Sequence, residues 1–270
     1  MRYGLIGEKL GHSYSKFIHE YMADYTYDLI PLTKEEFRSF MEKKDFAAIN
    51  VTIPYKQDVI PYLDELHPLA EEIGAVNTIV NSNGHYIGYN TDFYGFVYML
   101  NHNNIQINGR KCLILGNGGT SQTVQAVLKH LEAGEIFVVS RKGNDSADDT
   151  EAADTESVPD IKTASYEACY EKHTDAAVIV NTTPLGMYPN IDASPLNLTS
   201  FTKCQAVVDV IFNPMNTKLT LQAEELGIKA VTGLEMLVAQ AKQAIEYFLD
   251  KKLEDGIIDE VYRELVKIIK

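Results

Sequence analysis

Four short polar clusters stand where an ordinary core would waste them. In Gly11-His12-Ser13-Tyr14-Ser15-Lys16, two hydroxyls two residues apart precede an apolar helical stretch. A Ser there either caps the helix by accepting from a free N–H, or joins its neighbour in holding a carboxylate. Lys56 ends Asn50-Val51-Thr52-Ile53-Pro54-Tyr55-Lys56, a strand running into a turn, where a lone lysine is ordinarily just solvated. Asn77 interrupts the apolar run Ala75–Val80, although Asn is depleted in strands. Asn90-Thr91-Asp92 closes another strand ahead of a helix, and Asp92 there is either a helix N-cap or a carboxylate with a task of its own.

A fifth cluster has phosphate chemistry. The apolar strand 111–115 runs into Gly116-Asn117-Gly118-Gly119-Thr120-Ser121 and then an amphipathic helix stopped by Gly134. The first glycine permits a tight turn, the second lets backbone approach a pyrophosphate, and the helix N-terminus offers free N–H groups to the anion. Ser121 holds the sixth position, so the full Gly-x-Gly-x-x-Gly pattern is not met, and a glycine-rich turn without a nucleotide is the alternative. The next strand, 135–141, ends in Ser140-Arg141-Lys142. An acid there would bind the ribose 2′-hydroxyl of NAD, whereas an Arg accommodates a 2′-phosphate. Two cations gain charge-assisted hydrogen bonds from that phosphate, which favours NADP over the reading of a solvent-facing pair.

The elements that must position these clusters fall into two halves. Residues 1–100 alternate apolar runs (3–7, 26–32, 46–53, 74–80, 85–90) with helical stretches (17–25, 35–44, 57–66). Asn81-Ser82-Asn83-Gly84 signals a hairpin between the last two runs. Strands separated by helices make the sheet at least partly parallel. Residues 91–103 carry apolar side chains at helical spacing and lead out of the first half. Strands at 111–115, 135–141, 176–183, 206–212 and 228–231, with helices between most of them, read as a doubly wound sheet; the chain from Met236 onward is helical. Residues 143–160 hold seven acids and almost no large apolar side chain, and read as a solvated excursion or weakly ordered helix.

The 270 residues are 45% hydrophobic and 23% charged, which excludes a disordered or fibrous chain. With 24 basic against 38 acidic side chains the formal charge is −14, so neither nucleic acid nor an anionic membrane is an expected partner. A local positive pocket for a small anion remains compatible with that charge. Cys112, Cys169 and Cys204 form no CxxC pair and read as reduced thiols of a cytoplasmic protein. The seven His show no ligand spacing, so no metal is expected.

Taken together, GHSYS (11–15), NVTIPYK (50–56), GAVNT (74–78), GYNTD (88–92), GNGGTSQ (116–122), NTTPLGM (181–187) and MLVAQ (236–240) resemble the shikimate dehydrogenase family, in its order and over almost the full chain. The resemblance implies an α/β fold with two domains and a cleft between them. An N-terminal α/β substrate-binding and catalytic domain takes residues 1–101 plus 236–270, and a Rossmann-type doubly wound NADP-binding domain takes 102–235. It implies an oxidoreductase that reversibly reduces 3-dehydroshikimate to shikimate with NADPH in aromatic amino-acid biosynthesis. Lys56 and Asp92 would be the catalytic pair. Ser13, Ser15, Thr52, Asn77, Asp92, Phe212 and Gln240 would line the substrate site. Gly116, Asn117, Gly118, Gly119, Thr120, Ser140, Arg141, Lys142, Val210 and Gly233 would contact NADP. The small-molecule substrate is the expected partner of a monomer or homodimer. An NAD-dependent quinate/shikimate dehydrogenase and a non-catalytic nucleotide-binding regulator are the alternatives.

Two positions depart from the family's pattern. Phe212 stands where Tyr is frequent and removes a hydroxyl from the substrate side. Glu235 stands where a small residue, commonly Gly, precedes the MLV block, bringing a carboxylate near the expected nicotinamide side.

Overall fold

The computed structural model describes residues 2–11, 13–141 and 160–269. His12, Lys142 and all of the acid-rich stretch up to residue 159 lie outside them. In chain order the elements are β1 (Tyr3–Gly7), α1 (Ser15–Met22), β2 (Tyr27–Pro31), α2 (Lys34–Lys43), β3 (Ala48–Val51), β4 (Glu65–Leu66), α3 (Pro68–Ile73), β5 (Thr78–Ser82), β6 (His85–Tyr89) and α4 (Thr91–His102). There follow β7 (Lys111–Leu115), α5 (Gly119–His130), β8 (Glu135–Val139), β9 (Ile161–Ala164), α6 (Tyr166–Lys172), β10 (Val178–Asn181), β11 (Ala206–Asp209), α7 (Lys218–Glu225), β12 (Lys229–Thr232), α8 (Leu234–Leu249) and α9 (Gly256–Ile268). The chain forms two compact units, Met1–Gly95 with Leu237–Val266, and Phe96–Met236 with Lys267–Lys270.

The first unit has a six-stranded sheet in the order β2-β1-β3-β5-β6-β4. Strands β1, β2 and β3 are parallel, and β5 runs antiparallel to both β3 and β6. Alternation along the strands sends side chains to opposite faces. Ile6 and Ile49 pack with Phe37, Met41 and Tyr55 on one face. Leu5 and Ala48 pack with Tyr27, Ala244 and Phe248 on the other, so α8 covers that second face. A capping box starts α2, with Thr33 accepting from Glu36 N–H and Glu36 accepting from Thr33 N–H. The expected hairpin joins β5 and β6 through Asn83 and Gly84, whose φ angles of 54° and 90° suit the tight two-residue turn.

One local expectation fails. Residues 57–66 make only a 3₁₀ turn at Ile60–Tyr62 followed by β4, which pairs with β6. Pro61 removes an N–H and restricts the residue before it, so a continuous helix there is excluded.

The second unit is a parallel sheet in the order β12-β11-β10-β7-β8-β9. Its strands read as unbroken apolar runs because both faces are covered; Leu113, Leu115, Val139, Ile179 and Val207 pack with Ala168, Leu219 and Ala223 of α6 and α7. β9 and α6 were not singled out in the sequence, since Ile161–Ala164 has two exposed positions and only four residues. The run expected to extend to residue 212 leaves the ladder at Asp209, whose carboxylate accepts from Ile211 N–H at 3.1 Å.

Candidate active site

Register brings the polar clusters of the first unit to one edge of its sheet. β1 and β3 are parallel and finish together, so the loops after Gly7 and Val51 leave the same edge. Asn50 sits opposite Thr78, and Thr78 opposite Tyr89, so β5 begins and β6 ends at that edge too. Ser13, Ser15, Thr52, Lys56, Asn77 and Asp92 therefore all lie in or beside the connections along it. Gly7 allows the crowding there, because a Cβ at that position would fall 2.5 Å from Thr52 Cγ2 and 2.9 Å from Leu10 Cδ2.

Lys56 is held by its neighbour. Tyr55 is fully buried, stacks on Phe37 at 4.2 Å and donates its hydroxyl to Leu32 O at 2.6 Å. The Lys56 carbonyl accepts from Val76 N–H at 2.8 Å. With its backbone fixed, Lys56 donates from Nζ to Asp92 Oδ2 at 2.6 Å, the two side chains being 19% and 13% exposed. The reading of a freely solvated lysine is thus excluded. So is the N-cap reading of Asp92, because Asn90 Oδ1 accepts from Phe93 N–H at 3.3 Å and Asp92 sits in the first turn.

Asn77 is buried and its amide is occupied. Its Oδ1 accepts from Thr91 N–H at 2.7 Å and from the Thr78 hydroxyl at 3.0 Å, while Nδ2 donates to Thr91 Oγ1 at 3.1 Å. The Thr91 hydroxyl also donates to Gln240 Oε1 at 3.2 Å, and Gln240 Nε2 donates to Leu237 O at 3.0 Å. Thr91 thereby joins Asn77 to Gln240, a part that was not assigned from sequence; its signal was an Asn-Thr-Asp triplet at a strand end. Ser13 Oγ accepts from Ser15 N–H, the first free N–H of α1, at 3.3 Å, so Ser13 takes the capping role that Tyr14 lacks, while the Ser15 hydroxyl is not used as a cap.

The second unit has an edge of its own. Ala164, Val139, Leu115, Asn181, Asp209 and Thr232 fall in one row across the sheet. Gly116, Ser140, Val210 and Gly233 are the next residue of their strands, and Arg141 is one further. The strand order reverses at the neighbours β7 and β10, the position at which doubly wound sheets bind ligands. Gly116 has φ +101°, and a Cβ there would fall 2.9 Å from Thr183 Cγ2. Gly118 and Gly119 face open space, with nothing within 4 Å of an added Cβ. Gly118 is the N-cap of α5 and brings no side-chain cap, leaving first-turn N–H groups for an anion. Ser121, at the position of the missing third glycine, is fully buried and accepts from Gln125 Nε2 at 3.0 Å, so a small side chain meets the packing need. This cradle fits a dinucleotide pyrophosphate.

Val210 and Gly233 meet through backbone: Gly233 N–H donates to Ile211 O at 3.0 Å, and a Cβ on Gly233 would sit 2.1 Å from Val210 O. Asp209 is fully buried and accepts from Asn181 Nδ2 at 3.0 Å and from the Thr217 hydroxyl at 2.8 Å. Burial pushes its carboxyl up to about 6 against those bonds. Phe212 is half-buried in the loop after β11, in this unit and not in the one holding the other expected substrate residues. Glu235 is 17% exposed and turned onto the end of α4, accepting from Asn103 Nδ2 at 2.6 Å with His102 Nδ1 3.3 Å away.

Comparison with known proteins identifies the family. The shikimate dehydrogenase substrate binding domain matches residues 5–79. A shikimate dehydrogenase (NADP(+)) of Clostridium beijerinckii is 40% identical, over 94% of this chain and 96% of that one. The chorismate mutase/shikimate 5-dehydrogenase fusion protein of Clostridium acetobutylicum superposes with a TM-score of 0.88 at 37% identity, covering 99% of this chain and 97% of its own. Shikimate 5-dehydrogenase of Thermus thermophilus, solved with NADP(H) and shikimate, gives 0.82 at 25% identity, over 98% and 99% of the two chains. With an N-terminal substrate-domain sheet followed by a Rossmann-like one, and identity of this level over nearly its whole length, the chain belongs to the shikimate dehydrogenase family.

Proposed function

We propose that this chain is an oxidoreductase that reversibly reduces 3-dehydroshikimate to shikimate with NADPH, in aromatic amino-acid biosynthesis. The single observation that supports the chemistry most is the 2.6 Å contact between Lys56 Nζ and Asp92 Oδ2 at a part-buried sheet edge. Bound NADPH supplies hydride to the ketone carbon. The oxygen left behind develops negative charge, and a positioned ammonium both stabilises that charge and gives it a proton. Lys56 is that acid in reduction and the base toward the shikimate hydroxyl in the reverse direction. Asp92 orients the ammonium and accepts from a substrate hydroxyl.

Ser13 and Ser15 donate to the substrate carboxylate. Thr52, Asn77 and Gln240 pair with ring hydroxyls, Asn77 and Gln240 being fixed for this through Thr91. A site built to pair hydroxyls rejects analogues lacking them by large factors. Phe212 adds an apolar wall without a hydroxyl. Gly116 to Thr120 hold the pyrophosphate, Ser140 and Arg141 the 2′-phosphate side, with Lys142 assigned there from sequence, and Val210 and Gly233 line the nicotinamide side. Residues 1–101 with 236–270 form the substrate-binding and catalytic domain and 102–235 the NADP-binding domain. The enzyme acts in the cytoplasm as a monomer or homodimer.

A matrix of shikimate or quinate against NADP or NAD, followed by reduced-cofactor absorbance, tests the reading. NADPH forming fastest with shikimate is the expected result. A marked preference for NAD or for quinate would overturn it.

A further inference from the structure

The row of strand ends in the second unit continues beyond the residues assigned to the cofactor. Leu115 lies beside Val139, and Val139 beside Ala164, so the Gly116 turn, Ser140-Arg141 and Ser165-Tyr166 emerge side by side. Ser140 N–H donates to Ala164 O at 3.1 Å, which keeps β8 and β9 in step past the ladder. Arg141 is exposed there. Tyr166 is the first residue of α6, and its half-buried ring packs on the cluster containing Leu115, Val139 and Cys169. With Val139 opposite Ala164, Arg141 and Tyr166 each stand two residues beyond paired strand ends, and burial raises the Tyr166 phenol above the ordinary range. Ser165, between them in sequence, uses its oxygen as the N-cap of α6, accepting from Ala168 N–H at 3.1 Å.

We propose that Tyr166 is a cofactor-discriminating residue that completes, with Arg141, the seat of the ribose 2′-phosphate, donating its hydroxyl to a phosphate oxygen beside the guanidinium. The proposal rests on the NADP reading above. An exposed Arg supplies attraction but must order a long side chain to use it. A phenol already held by core packing adds a directed, charge-assisted donor with little further ordering. A cofactor lacking the 2′-phosphate offers neither group an anion, so the pair discriminates without touching the reacting atoms.

Calorimetric titration of adenosine 2′,5′-bisphosphate and of 5′-AMP into the whole protein separates the possibilities. Tyr166→Phe keeps the packed ring and removes only the hydroxyl. It is expected to weaken the 2′,5′-bisphosphate about tenfold, the size of a lost hydrogen bond to a charged group, and to leave 5′-AMP unchanged. KM for NADPH should rise by a similar factor at constant kcat. If Tyr166→Phe binds the bisphosphate as tightly as wild type while Arg141→Ala loses it, the Tyr166 assignment is overturned and the NADP reading stands. If wild type itself binds both nucleotides equally, both are overturned.

Discussion

Lys56 lies just past β3 and Asp92 in the first turn of α4, 36 residues apart in sequence and 2.6 Å apart in space. The pair is part-buried but still reached by solvent, so its loss costs only modest stability, and the fold around Lys56 leans on Tyr55, whose ring and hydroxyl are both buried. Lys56→Ala should therefore leave the melting temperature nearly unchanged while lowering kcat/KM by about 10²–10⁴, the usual worth of a positioned acid–base group. Steady-state kinetics beside a thermal melt checks this, and an equally active variant would remove Lys56 from the mechanism. Thr91 is the next residue to probe. Thr91→Val deletes the hydroxyl that joins Asn77 to Gln240, and should raise KM for shikimate more than KM for NADPH, since the cofactor residues belong to another sheet.

Asp209 shows how one buried carboxyl organises two connections. It draws Asn181 and Thr217 together, and Asn181 Oδ1 in turn accepts from Thr183 N–H at 3.0 Å and from the Thr183 hydroxyl at 2.7 Å. Folding raises this carboxyl from 3.8 to about 6, so the folded chain holds a proton the unfolded chain has released. Its contribution to stability is present below about pH 4 and is lost as pH rises through about 6, amounting to about 3 kcal/mol at 1.36 kcal/mol per pH unit. Urea titrations of wild type and Asp209→Asn should differ by an amount that changes between pH 4 and 6 and is flat above pH 7. A difference constant across that range would refute the assignment. Gly233, at the turn from β12 to α8, is constrained by shape alone. A Cβ 2.1 Å from Val210 O forces backbone apart, so Gly233→Ala should cost about 1–3 kcal/mol in the same titration and raise KM for NADPH.

The whole chain is acidic, at −14, yet the edge read as cofactor-binding carries exposed Arg141 beside the uncapped N-terminus of α5. An anion is attracted there by local groups against the general field, and screening by salt weakens both. Among the described residues no helix is long and apolar enough to cross a membrane. A ligand that binds only the folded chain stabilises it by about 2.7 kcal/mol at 100 times its Kd. NADPH at such a concentration should raise the melting temperature by several degrees, and an equal concentration of NADH by clearly less. Equal shifts from the two would count against selectivity for the 2′-phosphate.

The glycine turn after 111–115, the hairpin at Asn83-Gly84 and the alternation of strands with helices were legible in the residues, because turn chemistry and apolar periodicity are local properties. The motif blocks carried the family for the same reason: each is a run of neighbours. The residues from 57 to 66 misled because apolar spacing spoke for a helix while Pro61 forbade one. Strand β9 was invisible because four residues, two of them exposed, leave no period to read. What local sequence could not decide was whether Lys56 is solvated or paired, and whether Asp92 merely caps a helix. Those choices wait on parallel and antiparallel register, which sends the ends of β1, β3 and β6 and the start of β5 to one edge and lets Asn90 take the cap that frees Asp92. Contacts between residues distant in sequence are set by the packing of whole elements, and only tertiary structure contains them.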